Sequence, residues 1–385
     1  MVVPLPHQRL GLDPAPDLRE LAKSGPLHEY DTEPGLDGHK QWLVTGYDEV
    51  REILADANRF SSMRPVDDEA DRARLPGILQ AYDPPEHTRL RGSVAAAYTV
   101  RRIERLRPRV EKIVEDCLDD LEGMGSPVDF VRHAAWPIPG LIGCEFLGVP
   151  LDDQTELSRM FRDSRESRLP RQRTLAGLGV VSYAQKLAAR TRLDPGEGMI
   201  GFIVREHGDE VTDEELAGLA EGILIGAVEQ MASQLAIAVL LLVTHPAQAA
   251  LLRERPELAN NATEEVIRYG SIVETPSPRT ALVDMRLGGR DIHAGDVLTC
   301  SLLAVNRAQG DRFDITAENS AEHMAFGHGI HHCIGAALAR IQLRVALPAL
   351  VRRFPSLRLA VPEEDLRFKP GRPAPFAVEE LPVEW

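Results

Sequence analysis

Between residues 325 and 335 the chain reads AFGHGIHHCIG, which places three histidines and a cysteine within six positions and a glycine on either side. Imidazole and thiolate are metal ligands, so metal binding is the first chemistry to consider. A structural zinc site needs four ligands at suitable spacing, and no second Cys or His pair stands nearby to complete one. The adjacent His331 and His332 also project in divergent directions, and a loop of surface histidines is the plain alternative. Cys333 stands apart because it opens a periodic apolar run, CIGAALARIQLRVALPALVRRF over 333–354, that reads as a helix. At a helix start, unsatisfied N–H groups and the positive end of the dipole favour a thiolate. Gly335 lets something bulky approach the backbone, and Gly327 and Gly329 permit turns that other residues resist. The partner this implies is a planar metal macrocycle.

The elements that must position this loop are mostly helical. Periodicity predicts further helices over 101–122, 213–245 and 257–270, with strands at 41–46 (QWLVTG) and 296–305 (DVLTCSLLAV). Turns are expected at 192–199 and 368–376, where Pro and Gly cluster. The fold class is mainly α with a small β part, and without repeats or long linkers the chain reads as one domain over 1–385. The 213–245 segment is long enough to raise the question of a membrane span. Thr212 and Glu215 form a capping box at its start, and Glu229, Gln230, Ser233 and Gln234 lie at its centre, where hydrocarbon would penalise them. A buried helix through a large core is the expectation, with no membrane.

At 385 residues and 43% apolar content the chain can bury a substantial core, and its formal charge of −15 repels nucleic acid and anionic membranes alike. Four prolines interrupt the first twenty residues, where an export signal would need an apolar run, so a cytoplasmic location is expected. Cys117, Cys144, Cys300 and Cys333 form no CxxC pair, which predicts reduced thiols rather than a disulfide framework.

Phe326, Gly329, Cys333 and Gly335 reproduce the F-x-x-G-x-x-x-C-x-G signature of cytochrome P450s, and Gly327 and His331 match its fuller bacterial form. The chain resembles that family. The resemblance implies the cytochrome P450 fold and haem b, with Cys333 as the thiolate ligand of iron, His331 bonding a propionate and Phe326 packed near the sulfur. His328 and His332 have no family role. Glu265 and Arg268 share a helical face and are similar to the family's E-x-x-R pair, although such spacing also describes ordinary surface ion pairs. Arg279 in SPRTA, with His87 and Arg91 at i and i+4 in DPPEHTRLR, match positions that bond propionates; for His87 and Arg91 a solvated helix face is the alternative. WLVTGYDEVREIL, RVEKIVEDCLDDL and DRFDIT sit in family order, so the resemblance covers essentially the whole chain.

The helix expected over the haem departs from the family's A/G-G-x-D/E-T-T. It reads IGAVEQMASQ: Gly226 and Ala227 keep the backbone small, Glu229 matches the acid, and Gln230 and Met231 stand where threonines are expected. Glu229 and Gln230 are the candidate catalytic residues. A carboxamide cannot relay a proton as a hydroxyl does. Either Gln230 holds a water in the same place, or the enzyme favours hydrogen abstraction leading to ring closure, desaturation or coupling of aromatic or cyclic-dipeptide substrates. The implied activity is a haem-thiolate oxidase acting with O2 on a small specialised metabolite, by hydroxylation or C–C or C–N coupling. The rivals are a non-catalytic P450-like haem-binding or recruitment domain and a peroxide-driven peroxygenase.

A second departure lies at NRAQGDRFDITAENSAEH, shorter than its family counterpart, where Arg312 is the candidate third member of the Glu265/Arg268 network and Ala317 stands where many members have Arg. Without a flavin or iron-sulfur signature, electrons must come from a separate ferredoxin and its reductase. Arg89 to Lys112 holds eight basic residues against two acidic ones, a candidate docking stretch on a monomeric protein. By resemblance the substrate pocket draws on residues 60–80, 161–176, the neighbourhood of Val228 and 273–278. Arg162, Arg165 and Arg168 are either surface charges or contacts for an acidic or carrier-bound substrate.

Overall fold

A computed structural model describes residues 9, 11–30, 39–63, 76–166, 170–318, 320–369 and 375–385, and within its helices the side chains of 162 and 164–176 are not described. Five helices build the site: α1 (Glu86–Ala95), α2 (Asp213–Ile225), α3 (Met231–Thr244), α4 (Ala259–Gly270) and α5 (Ala336–Arg353). The expected capping box starts α2, with the Glu215 N–H donating to Thr212 Oγ1 at 3.2 Å and the Thr212 N–H to Glu215 Oε2 at 2.9 Å. A π turn, Gly226–Gln230, joins α2 to α3, and the residues from Met231 to Leu242 are all buried. The stretch Asp213–Thr244 is long and apolar enough to cross a membrane, but 67% of its most apolar window lies inside the protein, as befits a core helix. Burying each such Leu or Ile contributes about 1.5–3 kcal/mol.

The β part is small. A five-stranded sheet contains β1 (Leu27–Glu29), β2 (Gln41–Val44), β3 (Phe60–Ser61), β4 (Arg279–Ala281) and β5 (Val297–Cys300), in the order β1-β2-β5-β4-β3. The β2–β5 pair is parallel, Gln41 opposite Val297, and the other pairs are antiparallel. Its apolar side chains pack on the helix Tyr47–Ala55, which in turn supports the turn Gly329–His331.

Three expected elements change shape, each for a local reason. The helix over 101–122 breaks into Val100–Arg105 and Arg107–Met124, because Pro108 is tolerated in a first turn but not in a helix interior. The strand expected over 296–305 ends at Cys300, where the Ser301 hydroxyl accepts the Ala304 N–H at 3.2 Å and starts a helix, Leu302–Ala308. The helix expected from Cys333 begins at Ala336, leaving Cys333 to Gly335 as the turn before it.

Candidate functional site

Cys333 lines a cavity of about 410 Å³, together with Gly226, Ala227 and Gln230 of the π turn and Phe326, Gly327 and His331 of its own loop. The loop is held by backbone bonds: the Cys333 N–H donates to Phe326 O and the Gly327 N–H to Met324 O, each at 2.8 Å. Gly327 and Gly329 take φ values of 71° and 70°, and a Cβ on Gly329 would collide with the Leu54 carbonyl. The cavity leaves Cys333 half-exposed, yet its sulfur sits deep. Burial pushes the thiol up, against the Gly335 N–H and the charges of Arg91 and Arg340, which pull it down. The helix start therefore does not by itself make a thiolate. A coordinated cation at the sulfur would offset that burial and favour the thiolate.

Beside the sulfur, four nitrogen-bearing side chains converge. Arg91, Arg279 and His331 line the cavity. His87 does not, but its ring lies 4.3 Å from that of His331. Arg91 Nη2 donates to His332 O at 2.5 Å, and Arg279 Nη1 to Ser277 O at 2.7 Å. Among the described residues, the buried Nε2 atoms of His87 and His331 have no hydrogen-bond partner. Burial and then Arg279 hold His331 down to about 3, and burial and then Arg91 lower His87. The nearby acid, Asp83, is tied up by Ser61 and Ser62. Orphaned donors beside two guanidiniums form a receptor for carboxylate groups.

Behind the loop, Glu265 and Arg268 are buried and form a bidentate pair at 2.7 and 2.8 Å, not a surface bridge. Arg312 enters only through its backbone carbonyl, 3.1 Å from Arg268 Nη2, and its guanidinium is not the third member. That place goes to the Ser320 hydroxyl, which donates to Glu265 Oε2 at 3.0 Å, and to the Asp314 N–H at 2.9 Å from Oε1. Ala317 contributes its carbonyl to Asn261 and Ser320, as a backbone group that needs no side chain. Sequence reading also passed over Glu264, whose carboxylate binds Arg340 on α5. Its adjacency to Glu265 was visible, but its partners lie 59 and more residues away.

The π turn decides which residues face the cavity. Gly222, Ile223, Gly226, Ala227, Gln230, Met231 and Gln234 line it, whereas Val228 is buried on the far side and Glu229 does not reach it. Burial raises the Glu229 carboxyl, with Lys369 drawing it back. Glu229 and Gln230 are thus separated by the geometry, and Gln230 is the polar side chain that the π turn presents. An added Cβ on Gly226 would meet nothing within 4 Å, so that side of the cavity is open.

The cytochrome P450 family model matches residues 197–383. Cytochrome P450 165A3 of Amycolatopsis orientalis is 45% identical over 98% of this chain and 97% of its own length. The chain belongs to the cytochrome P450 family. The solved structure of OxyE, a cytochrome P450 involved in teicoplanin biosynthesis, is 77% identical, covers 100% of both chains and superposes with a TM-score of 0.96. OxyC, implicated in an oxidative C–C coupling reaction during vancomycin biosynthesis, is 39% identical over 100% of this chain and 99% of its own, with a TM-score of 0.88. This P450 is accordingly a haem-dependent oxidoreductase of specialised metabolism that draws on small-molecule substrates and a redox partner.

The residues present fit haem. One deep thiol in the cavity, a carboxylate receptor beside it, and glycines at 226 and 335 where bulk would intrude suit a flat dianionic ring with a metal at its centre. Among the described residues no cluster of three or more His, Cys, Asp or Glu could hold a bare metal ion, which leaves zinc without a donor set.

Other expected site residues fall elsewhere. Phe60 is buried in the sheet core, while Leu79, Gln80, Val273, Thr275, Pro276 and Ser277 line the cavity. Residues 64–75, with the side chains of Arg162, Arg165 and Arg168, lie outside the described residues, as do 370–374 of the expected 368–376 turn. Half of the basic stretch is paired: Arg89 with Glu215, Arg107 with Glu104, Arg109 with Glu145 and Lys112 with Asp116. Arg91 faces the cavity, and Arg102 stacks on Phe202 at 4.0 Å, so Arg101, Arg102 and Arg105 carry what exposed charge remains.

Proposed function

We propose that this P450 is one domain over residues 1–385 that binds haem b through Cys333 and couples aromatic rings within a specialised metabolite. His87, Arg91, Arg279 and His331 would hold the ring's carboxylates, Phe326 and Gly335 would bound its sulfur side, and Gly226 and Ala227 its open side. The bound haem supplies the capacity to reduce O2 and to draw hydrogen from the substrate.

The observation that carries the coupling reading is the π turn, which presents Gln230 to the cavity in the place of an alcohol while Glu229 stays out of it. A carboxamide can hold a water between its N–H and C=O but does not pass a proton through itself. A phenolic hydroxyl on the substrate supplies that proton. The lining of Leu79, Ile223, Val273 and Pro276, with Gln80, Gln230 and Thr275 among them, gives an apolar slot with neutral hydrogen-bonding groups, suited to aromatic rings on an amide backbone. The similarity to OxyC supports coupling chemistry, and the higher similarity to OxyE supports a place in specialised-metabolite biosynthesis. The reaction balances as the loss of two hydrogens from the substrate, with one O2 and two electrons and two protons giving two waters.

The electrons come from a separate ferredoxin and reductase, received on the sulfur side near Arg101, Arg102 and Arg105, by a monomeric cytoplasmic enzyme. To test this, haem-loaded protein is incubated with a ferredoxin system, a peptide bearing several phenols, and labelled O2. The expected product is two hydrogens lighter than the substrate and carries no label. A labelled, heavier product would make the enzyme a hydroxylase and Gln230 a tolerated substitute.

A further inference from the structure

We propose that Glu264, Arg340 and Arg344, with His323 alongside, form a charged brace behind the Cys333 loop and that its net positive charge sets the redox behaviour of the site. This rests on the haem-thiolate reading above. Glu264 is 7% exposed, on α4. Arg340 Nε donates to both of its oxygens, at 2.8 and 3.1 Å, and Arg340 Nη2 to Oε2 at 2.8 Å. Arg344 Nη2 lies 3.6 Å from Oε1 and His323 Nε2 3.4 Å from Oε2. His323 Nδ1 accepts the Ala325 N–H at 3.2 Å, which leaves Nε2 as the ring nitrogen on the carboxylate's side. One carboxylate faces two guanidiniums, so Glu264, Arg340 and Arg344 together carry a formal charge of about +1.

That charge has a rigid route to the sulfur. The Arg340 guanidinium carbon lies 4.6 Å from the centre of the Phe326 ring, and the His323 ring is 5.8 Å from the same ring. Phe326 accepts the Cys333 N–H through its carbonyl, so the residue under the guanidinium also fixes the sulfur's backbone. Arg340 is held by Glu264 in a fork, which removes the freedom an exposed arginine would use to move away. Both the position of Phe326 and the local field therefore depend on a carboxylate one helix removed. Positioning and charge can be separated, because glutamine keeps the shape of glutamate and lysine keeps the charge of arginine.

The test is a spectroelectrochemical titration of the haem-loaded full chain and its variants, after confirming that the wild type gives the thiolate-type reduced carbonyl spectrum. Reduction adds an electron, so a more positive surrounding raises the midpoint potential. Glu264→Gln is expected to shift it upward and Arg340→Gln downward, with Arg340→Lys close to wild type. Arg344→Gln, at a half-exposed position, is expected to shift it downward by less than Arg340→Gln and serves where the latter fails to hold haem. Mere loosening of the loop would move all variants in one direction. Shifts of the same sign in Glu264→Gln and either arginine variant, or no shift at all, would overturn the brace. A wild type without the thiolate-type spectrum would instead overturn the haem-thiolate reading itself.

Discussion

Behind the Cys333 loop, Glu265 holds Arg268, Ser320 and the Asp314 N–H, while Glu264 holds Arg340 with His323 alongside. At the turn Gly226–Gln230, which borders the same cavity, the side chains facing inward are a glycine, an alanine and one carboxamide. The first region is fixed redundantly by buried charge pairs, and the second is a widened helical turn with little side chain on it. Redundant fixing suits a part that must hold one cofactor in one geometry. A sparse turn leaves room for a substrate, so changes there alter the reaction while changes behind the loop alter whether any reaction occurs.

That contrast can be broken most severely at Glu265. Glu265→Ala strands the buried Arg268 guanidinium, at an expected cost of about 3–5 kcal/mol. Chemical denaturation should show this loss, and haem uptake should fail with it; a variant that unfolds and loads like wild type would contradict the picture of a charge-braced loop. The neighbouring pair gives a smaller effect that depends on acid. Burial would raise the Glu264 carboxyl, but hydrogen bonds from His323 and Arg340 outweigh it and bring it down to about 2. A folded value below the unfolded one contributes stability that is full above about 4.5 and lost as pH falls toward 2, about 3 kcal/mol in all. Unfolding midpoints measured down that range should fall more steeply for wild type than for Glu264→Gln. The smallest effect belongs to the turn. Gln230→Thr should leave stability and haem content unchanged while moving the ratio of oxygen insertion to coupling by on the order of tenfold, about 1.4 kcal/mol in relative barrier. An unchanged product ratio would mean that Gln230 does not limit proton supply.

How much of this was legible beforehand follows the same division. Cys333, its glycines and the E-x-x-R pair lie in short, strongly patterned stretches, so their resemblance to a family signature was recognisable locally. Ser320 and His323 were not visible as partners of Glu265 and Glu264, because a single hydroxyl or imidazole some sixty residues away leaves no local pattern. Glu229, matched to the family's acid by resemblance, stays off the cavity lining: regular helical spacing does not anticipate a π turn, and one such turn changes which neighbours share a face. The strand expected through 296–305 failed because apolar alternation continues past Ser301, and only the cap shows where the chain changes to a helix. Arg89, Arg107, Arg109 and Lys112 read as a basic patch until their acidic partners, some close in sequence and some distant, were in place.

The central proposal is that the Cys333 sulfur would bind the iron of haem. The most direct measurement is the reduced carbonyl difference spectrum of haem-loaded wild type beside Cys333→Ser, with haem content determined for both. The wild type should give the thiolate-type band, and Cys333→Ser should lose it even where haem remains bound. Retention of that band in Cys333→Ser would contradict the account.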